Sequence, residues 1–289
     1  MLESFLNLFA ASSDSQGAQQ IFVWILIIFG LIGGLVAPFL TRAKSKSIAI
    51  YIAGWVWWFI FTFVVSQLLI VLLSLPFILT LGRGMMSNVG FSVTTQVLTY
   101  VFMTAIMILL PYKQWKNSKK PPKKKNATRQ FILKLAGLDS KPCLNDIKQT
   151  LITFPIYFVT NLAVSIVLTL ALGDKIMGQE QNIGFATTGQ APFMLILIGF
   201  CLVIAAPVFE EILMRGILLG KLSEKLKFWP AAFITAVVFA LIHGQINVGV
   251  MTFILAMYAA SLRKKTGAIW SSIMLHTLQN LIAFCILVS

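Results

Sequence analysis

Long apolar runs separated by short polar stretches dominate the chain. They occupy 21–40, 48–73, 89–110, 151–172, 193–219, 228–242, 248–262 and 268–288. The runs are continuous rather than alternating, which predicts helices and argues against the two-residue period of barrel strands. A helix needs about 20 mostly apolar residues to cross the hydrocarbon core. The pattern therefore predicts an all-α, polytopic integral membrane protein of about eight transmembrane helices. The sixth and seventh runs are short and separated only by residues 243–247. Each is long enough to cross if tilted or packed inside protein, and a broken re-entrant pair is the alternative. Residues 1–20 hold no Lys or Arg, so no signal peptide is expected there. Residues 1–11 read as a weakly amphipathic surface segment.

Composition narrows the class. The chain has 289 residues, 58% hydrophobic and 11% charged, with a net charge of +14. Soluble domains carry roughly 25% charged residues, and disorder requires low hydrophobicity. A pI of 9.9 would suit a nucleic-acid partner, but a mean hydropathy of +0.88 does not. Membrane lipids, not nucleic acid, are the expected surroundings. Three cysteines, Cys143, Cys201 and Cys285, imply no disulfide framework.

The cations mark one side of the membrane. Twenty of the 23 fall in alternate loops, at 41–47, 111–150, 220–227 and 263–267. The opposite loops hold Arg83 and Lys175, and Arg215 lies within a run. By the positive-inside rule the basic loops are cytoplasmic and both termini outside. The loop at 111–150 reads Lys-Lys-Pro-Pro-Lys-Lys-Lys at its centre. It is first a solvated topology determinant, and secondly a surface for anionic lipid. Phe131, Ile132, Leu135 and Leu138 follow at helical spacing beside Arg129 and Lys134. That pattern predicts a short interfacial helix leading into the fourth span.

The informative charges are the scarce ones. Of nine acids, only Glu210 and Glu211 lie deep in an apolar run, with Arg215 one turn later. The chain's two histidines, His243 and His276, lie at or inside the ends of apolar runs. An ionisable group at bilayer depth costs at least roughly 2.5–3.5 kcal/mol, so each marks a functional site by default. Glu211 and Arg215 are i and i+4 with the acid first, the favourable order for an ion pair. Glu210 points about 100° away around the helix, which leaves it to face a cavity. Pro207 removes a backbone hydrogen bond to residue 203, so a freed carbonyl needs a partner. Phe239 and His243 are i and i+4, so the ring can shield the imidazole. His276 and Asn280 share that spacing and can aim donors at one point. Glu210 and His276 each lie 11 residues from the nearest cytoplasmic lysine, roughly 16 Å deep. His243 lies 16 residues from Lys227, roughly 24 Å deep, a gap that tilt can close.

Glu-Glu-x-x-x-Arg at 210–215, Phe-x-x-x-His at 239–243 and His-x-x-x-Asn at 276–280, in that order on separate runs, resemble the CPBP or Abi family of intramembrane proteases. This is the type II CAAX prenyl endopeptidase family, whose bacterial members include bacteriocin self-immunity proteins. The resemblance covers roughly 190–289, and the first four runs carry no matching motif. It implies eight helices around a conical cavity closed to lipid and open to the cytosol. It also implies that Glu210 and His243 activate a water, that His276 and Asn280 stabilise the oxyanion, and that Glu211 and Arg215 hold the site together. The expected organisation is then helices 1–3 and the basic loop at 1–150, a fourth span and outer loop at 151–189, and a catalytic core at 190–289.

The same residues suit other functions. Intramembrane Glu, His and Arg also build proton relays, so a proton-coupled transporter is one alternative, and an immunity protein acting without cleavage is another. Glu210, His243 and His276 are a candidate zinc set. The chain lacks His-Glu-x-x-His and Glu211 is spoken for by Arg215, so a metal-free site with no cofactor is preferred. A Lys-rich, apolar composition suggests a bacterial plasma membrane. The expected substrate is a CAAX-like, leader or toxin peptide, with or without a lipid.

Overall fold

The computed structural model describes residues 16–42, 47–81, 88–118, 126–173, 189–243 and 245–289. The expected surface segment at 1–11 and the centre of the basic loop lie outside them. Nine helices carry the described chain: α1 (Gln16–Leu40), α2 (Ile48–Leu81), α3 (Val89–Lys116), α4 (Ala127–Ala136), α5 (Leu144–Leu172), α6 (Pro192–Leu222), α7 (Phe228–Leu241), α8 (Ile246–Thr266) and α9 (Trp270–Val288). The described residues contain no strand. Every predicted apolar run forms a helix. Six of them (α2, α3, α5, α6, α8 and α9) are long and apolar enough to cross a bilayer. Two further apolar helices are shorter, the Ile27–Leu40 part of α1 and α7. At 14 residues, α7 is roughly 21 Å long, less than the ~30 Å hydrocarbon core.

Helix ends run past the apolar runs where local chemistry extends them. Helix α3 continues through Pro111 to Lys116. Lys113 and Lys116 in its last turn complement the helix dipole, and at its start Asn88 Oδ1 accepts the Phe91 N–H at 3.1 Å. Helix α5 begins at Leu144 rather than 151, because Asp146 Oδ2 accepts the Cys143 N–H at 2.9 Å and closes a capping box. Hydroxyls inside α2 bond back to their own helix, Thr62 to the Phe59 carbonyl at 2.7 Å and Ser66 to the Phe63 carbonyl at 2.7 Å. Their polarity is thereby satisfied without water.

Helix α6 is the axis of the structure. Leu213, Met214, Ile217, Leu218 and Leu219 on it are almost fully buried. One apolar cluster joins them to Trp55 and Phe59 of α2, Met103 and Met107 of α3, Phe239 of α7, Ala256 of α8 and Ile273 of α9. Helices α1 and α2 form a close hairpin, in which a Cβ at Gly34 would run into the Phe61 ring. Small residues permit such close approach within a bilayer. The short α4 is the helix expected after the basic loop. It ends at Gly137, whose φ of 73° terminates it, and does not run on into α5. Its apolar side packs inward: Phe131 stacks on Trp115 of α3 at 4.7 Å. The Ala136 carbonyl sits so close to α6 that a Cβ at Gly216 would collide with it. Arg129 and Lys134 remain exposed.

Two π-helical stretches, Phe200–Ala205 and Ile212–Leu218, flank the glutamate turn of α6. In the first, the Ala206 N–H bonds the Cys201 carbonyl. The next bond in that five-residue register would run from residue 207 to the Leu202 carbonyl, and Pro207 has no N–H to give. Asn280 of α9 supplies the missing donor, Nδ2 to the Leu202 carbonyl at 2.9 Å. The sequence places the freed carbonyl at 203, assuming a regular α-helix; the π register moves it to 202. Asn280→Ala therefore orphans a carbonyl at a cost of about 1–3 kcal/mol, read as a lower unfolding midpoint in micelles. Adding Pro207→Ala restores an N–H and recovers part of that loss. A neutral Asn280→Ala would contradict the assignment.

Candidate functional site

The acid pair sits on the turn between the two π stretches, at the centre of the bundle. Glu211 is fully buried and Glu210 is 9% exposed. Arg215 Nη1 lies 3.1 Å from Glu211 Oε1, the i, i+4 pairing that the spacing favours. Both groups are buried, so the charge of each depends on the other. The guanidinium also lies over the Phe239 ring, 5.0 Å from its centroid, a cation–π contact. Glu211 Oε1 takes a second partner, His276 Nδ1 of α9, at 3.0 Å. One carboxylate oxygen thus ties α6 to α9 while it balances Arg215.

That bond orients His276. An ionised carboxylate only accepts, so Nδ1 carries the proton and Nε2 is directed to the other glutamate. His276 Nε2 lies 3.7 Å from Glu210 Oε2, beyond direct hydrogen-bond range. His243 is oriented in the same manner. Its Nδ1 lies 2.7 Å from the Phe239 carbonyl, which can only accept, so the neutral ring keeps its lone pair on Nε2. Phe239 is the common neighbour: its ring lies edge-on to His243 at 5.0 Å and to His276 at 6.0 Å. The expected shielding of His243 by Phe239 is thus accompanied by contacts to Arg215 and His276, which the spacing alone does not indicate.

Two placements differ from expectation. Asn280 lies one turn beyond His276 on α9, but one of its amide hydrogens is engaged by the Leu202 carbonyl. That bond leaves it one further amide hydrogen. Glu210 does not simply face a cavity. Tyr100 of α3 donates its hydroxyl to Glu210 Oε1 at 2.6 Å, while its ring stacks on Phe209 at 5.9 Å and 3°. Sequence reasoning missed Tyr100, because a neutral phenol in an apolar run gives no charge signal. Its only hint is that tyrosine is scarce, with five in the chain.

Further polar atoms converge here. Among the described residues Glu211 Oε2 and Arg215 Nη2 lack a hydrogen-bond partner, and Arg215 Nη1 meets Glu211 Oε1 as an ion pair without hydrogen-bond alignment. The arrangement holds one acid paired with Arg215, one acid with a directed oxygen, and two imidazoles each anchored through Nδ1. Chemically it can accept a proton from water, return it, and donate to a developing oxyanion. Among the described residues no three His, Cys, Asp or Glu side chains converge as a metal-binding group. An open apolar groove of about 420 Å³ lies elsewhere, between α6 and α9, lined by Gly199, Val203 and Phe284 among others.

Residues 192–282 match the family described as Rce1-like, type II CAAX prenyl endopeptidase. A Bacillus subtilis (strain 168) protein named "Putative membrane peptidase YdiL" is 32% identical over 77 residues. The aligned stretch covers 27% of this chain and 32% of that relative, so about a third of the relative's length is spanned. No solved structure matches. The matched segment contains every charged or imidazole group of the site. Residues 192–282 are thus similar to the CAAX prenyl endopeptidase type of membrane protease, a likeness confined to about a third of the chain.

Proposed function

We propose that the protein is an intramembrane endopeptidase that hydrolyses a peptide bond near the membrane with a glutamate-activated water. The observation that carries this reading is the meeting of both in-span acids with His276 inside the family-matched segment. In the proposed step Glu210 Oε2 takes a proton from water while the water oxygen bonds to the peptide carbonyl carbon. His243 Nε2 shares that proton. In the proposed reacting state His276 carries a proton on each ring nitrogen, so that its Nε2–H and the second amide hydrogen of Asn280 donate to the oxyanion, together worth about 3–4 kcal/mol of transition-state stabilisation. The proton then passes to the amide nitrogen, the C–N bond breaks, and a carboxylate and an amine leave. Glu211 and Arg215 hold His276 and do not react.

Glu210→Gln retains the shape of the side chain and removes its basicity. Purified Glu210→Gln protein should melt like wild type and lose at least about 10²-fold in peptide cleavage, the lower end of general-base contributions. Wild-type protein that moves protons or solute across liposomes and cleaves nothing would replace the protease with a transporter. The proposed site needs no metal: activity should survive strong chelation. Loss on chelation, with stoichiometric zinc restoring it, would instead assign zinc to Glu210, His243 and His276.

The substrate class that fits is a CAAX-like, leader or toxin peptide presented at the membrane of a bacterium. The distribution of lysine and arginine supports cytoplasmic basic loops. Cys143, exposed beside the basic loop, tests this orientation. With Cys201 and Cys285 replaced by serine, an impermeant maleimide should label Cys143 only after the cytoplasmic face is opened. Labelling in intact cells would invert the topology.

A further inference from the structure

We propose that Tyr100 is a positioning residue for Glu210, so that α3 belongs to the reaction machinery although it lies far outside the matched segment 192–282. The inference rests on the protease reading of the site and adds a component to it.

The hydroxyl-to-carboxylate distance of 2.6 Å is short, in the range of an O–H donor on an ionised acceptor. Such a bond is stronger than one between neutral groups, and here both groups are buried. Tyr100 is 4% exposed, and its ring is held parallel to Phe209, the residue before Glu210. Ring and hydroxyl therefore grip two consecutive residues of α6 from the neighbouring helix.

The consequence for chemistry lies in which oxygen remains. The last torsion of a glutamate is broad and roughly two-fold, so an unheld carboxylate presents either oxygen to a substrate. With Oε1 committed to Tyr100, Oε2 is the atom left on the His276 side, 3.7 Å from Nε2. The carboxylate plane is then set before water arrives. Preorganisation of this kind acts on the chemical step, because a reacting atom held off-line by about 1 Å can cost on the order of 10²-fold in rate. Phe209 and Glu210 are both on α6, so a shift of α3 would move the base together with its neighbour. The first half of the chain thereby affects catalysis through one hydroxyl.

Tyr100→Phe removes that oxygen and keeps the ring stack. Steady-state cleavage by the full-length protein in vesicles should show kcat about tenfold lower or more, with KM within about twofold, the pattern of an interaction used in the transition state. Tyr258→Phe removes a hydroxyl from α8 that bonds Thr160 at 2.8 Å; it should retain wild-type kcat. In a Glu210→Asp background, whose shorter side chain already breaks the Tyr100 bond, Tyr100→Phe should lower the residual rate little further. An unchanged kcat in Tyr100→Phe overturns the inference, as does a rise in KM alone, or a loss that tracks the melting temperature and vanishes on cooling. Multiplicative losses in the Glu210→Asp background also overturn it. In each of those outcomes wild-type cleavage stands. Absence of wild-type cleavage is a different failure, which removes the protease reading and this inference with it.

Discussion

The structure turns on a single carboxylate oxygen. Glu211 Oε1 receives Arg215 from its own helix and His276 from α9. Burying an acid, a guanidinium and an imidazole at bilayer depth is costly for each group alone. Together they reduce the net charge of the site, and their geometry explains why these residues sit at this spacing. Arg215 must follow Glu211 by one turn to share its face. Phe239 must lie beneath Arg215, because a fully enclosed guanidinium needs a polarisable surface on the side its carboxylate does not cover. His276 must point its Nδ1 at Glu211, which leaves Nε2 for Glu210. The ion pair thus does more than neutralise charge: it anchors, through Nδ1, the histidine that faces Glu210.

The surrounding helices serve this arrangement. The π-helical turns of α6 present Glu210 and Glu211 to different neighbours, toward α3 and α9 respectively. The same distortion, combined with Pro207, opens the Leu202 carbonyl that Asn280 closes. Helices α2, α3 and α4 enclose α6 with aromatic and aliphatic side chains and, at Gly216, with backbone. At the C-terminal end of α6 Tyr51 of α2 donates to Glu224 at 2.8 Å, and Glu224 pairs with Lys221 at 2.7 Å, tying that end to α2. Helices α2, α3 and α4, which carry no family motif, thus pack around the helix that bears the charged turn.

The sequence carried much of this. Continuous apolar runs located the helices, and charge scarcity located Glu210, Glu211, Arg215, His243 and His276. The i, i+4 rule selected Glu211 over Glu210 as the partner of Arg215, and the structure pairs them. Other features left no periodic or charged trace. Tyr100 meets Glu210 across 110 positions of sequence and is neutral. The Leu202–Asn280 bond depends on a π register that residue spacing does not encode. Helix α5 starts early because of a capping box at Asp146, a local hydrogen bond stronger than the polarity of its first turn. The apolar side of α4 suits a membrane surface and a protein surface equally well by composition; packing on Trp115 and Gly216 decides for protein.

The central claim is that Glu211 and Arg215 are one buried unit that supports the glutamate turn of α6. A double-mutant cycle on the unfolding free energy of the purified protein in mixed micelles tests it directly, with Glu211→Gln, Arg215→Leu and the double variant. Either single change leaves its partner unpaired in the core and should cost about 3–5 kcal/mol. The double variant should cost markedly less than their sum, with a coupling on the order of 1–3 kcal/mol for groups in contact. Small and additive losses would contradict the account, because they would mean that neither charge depends on the other for its place in the membrane.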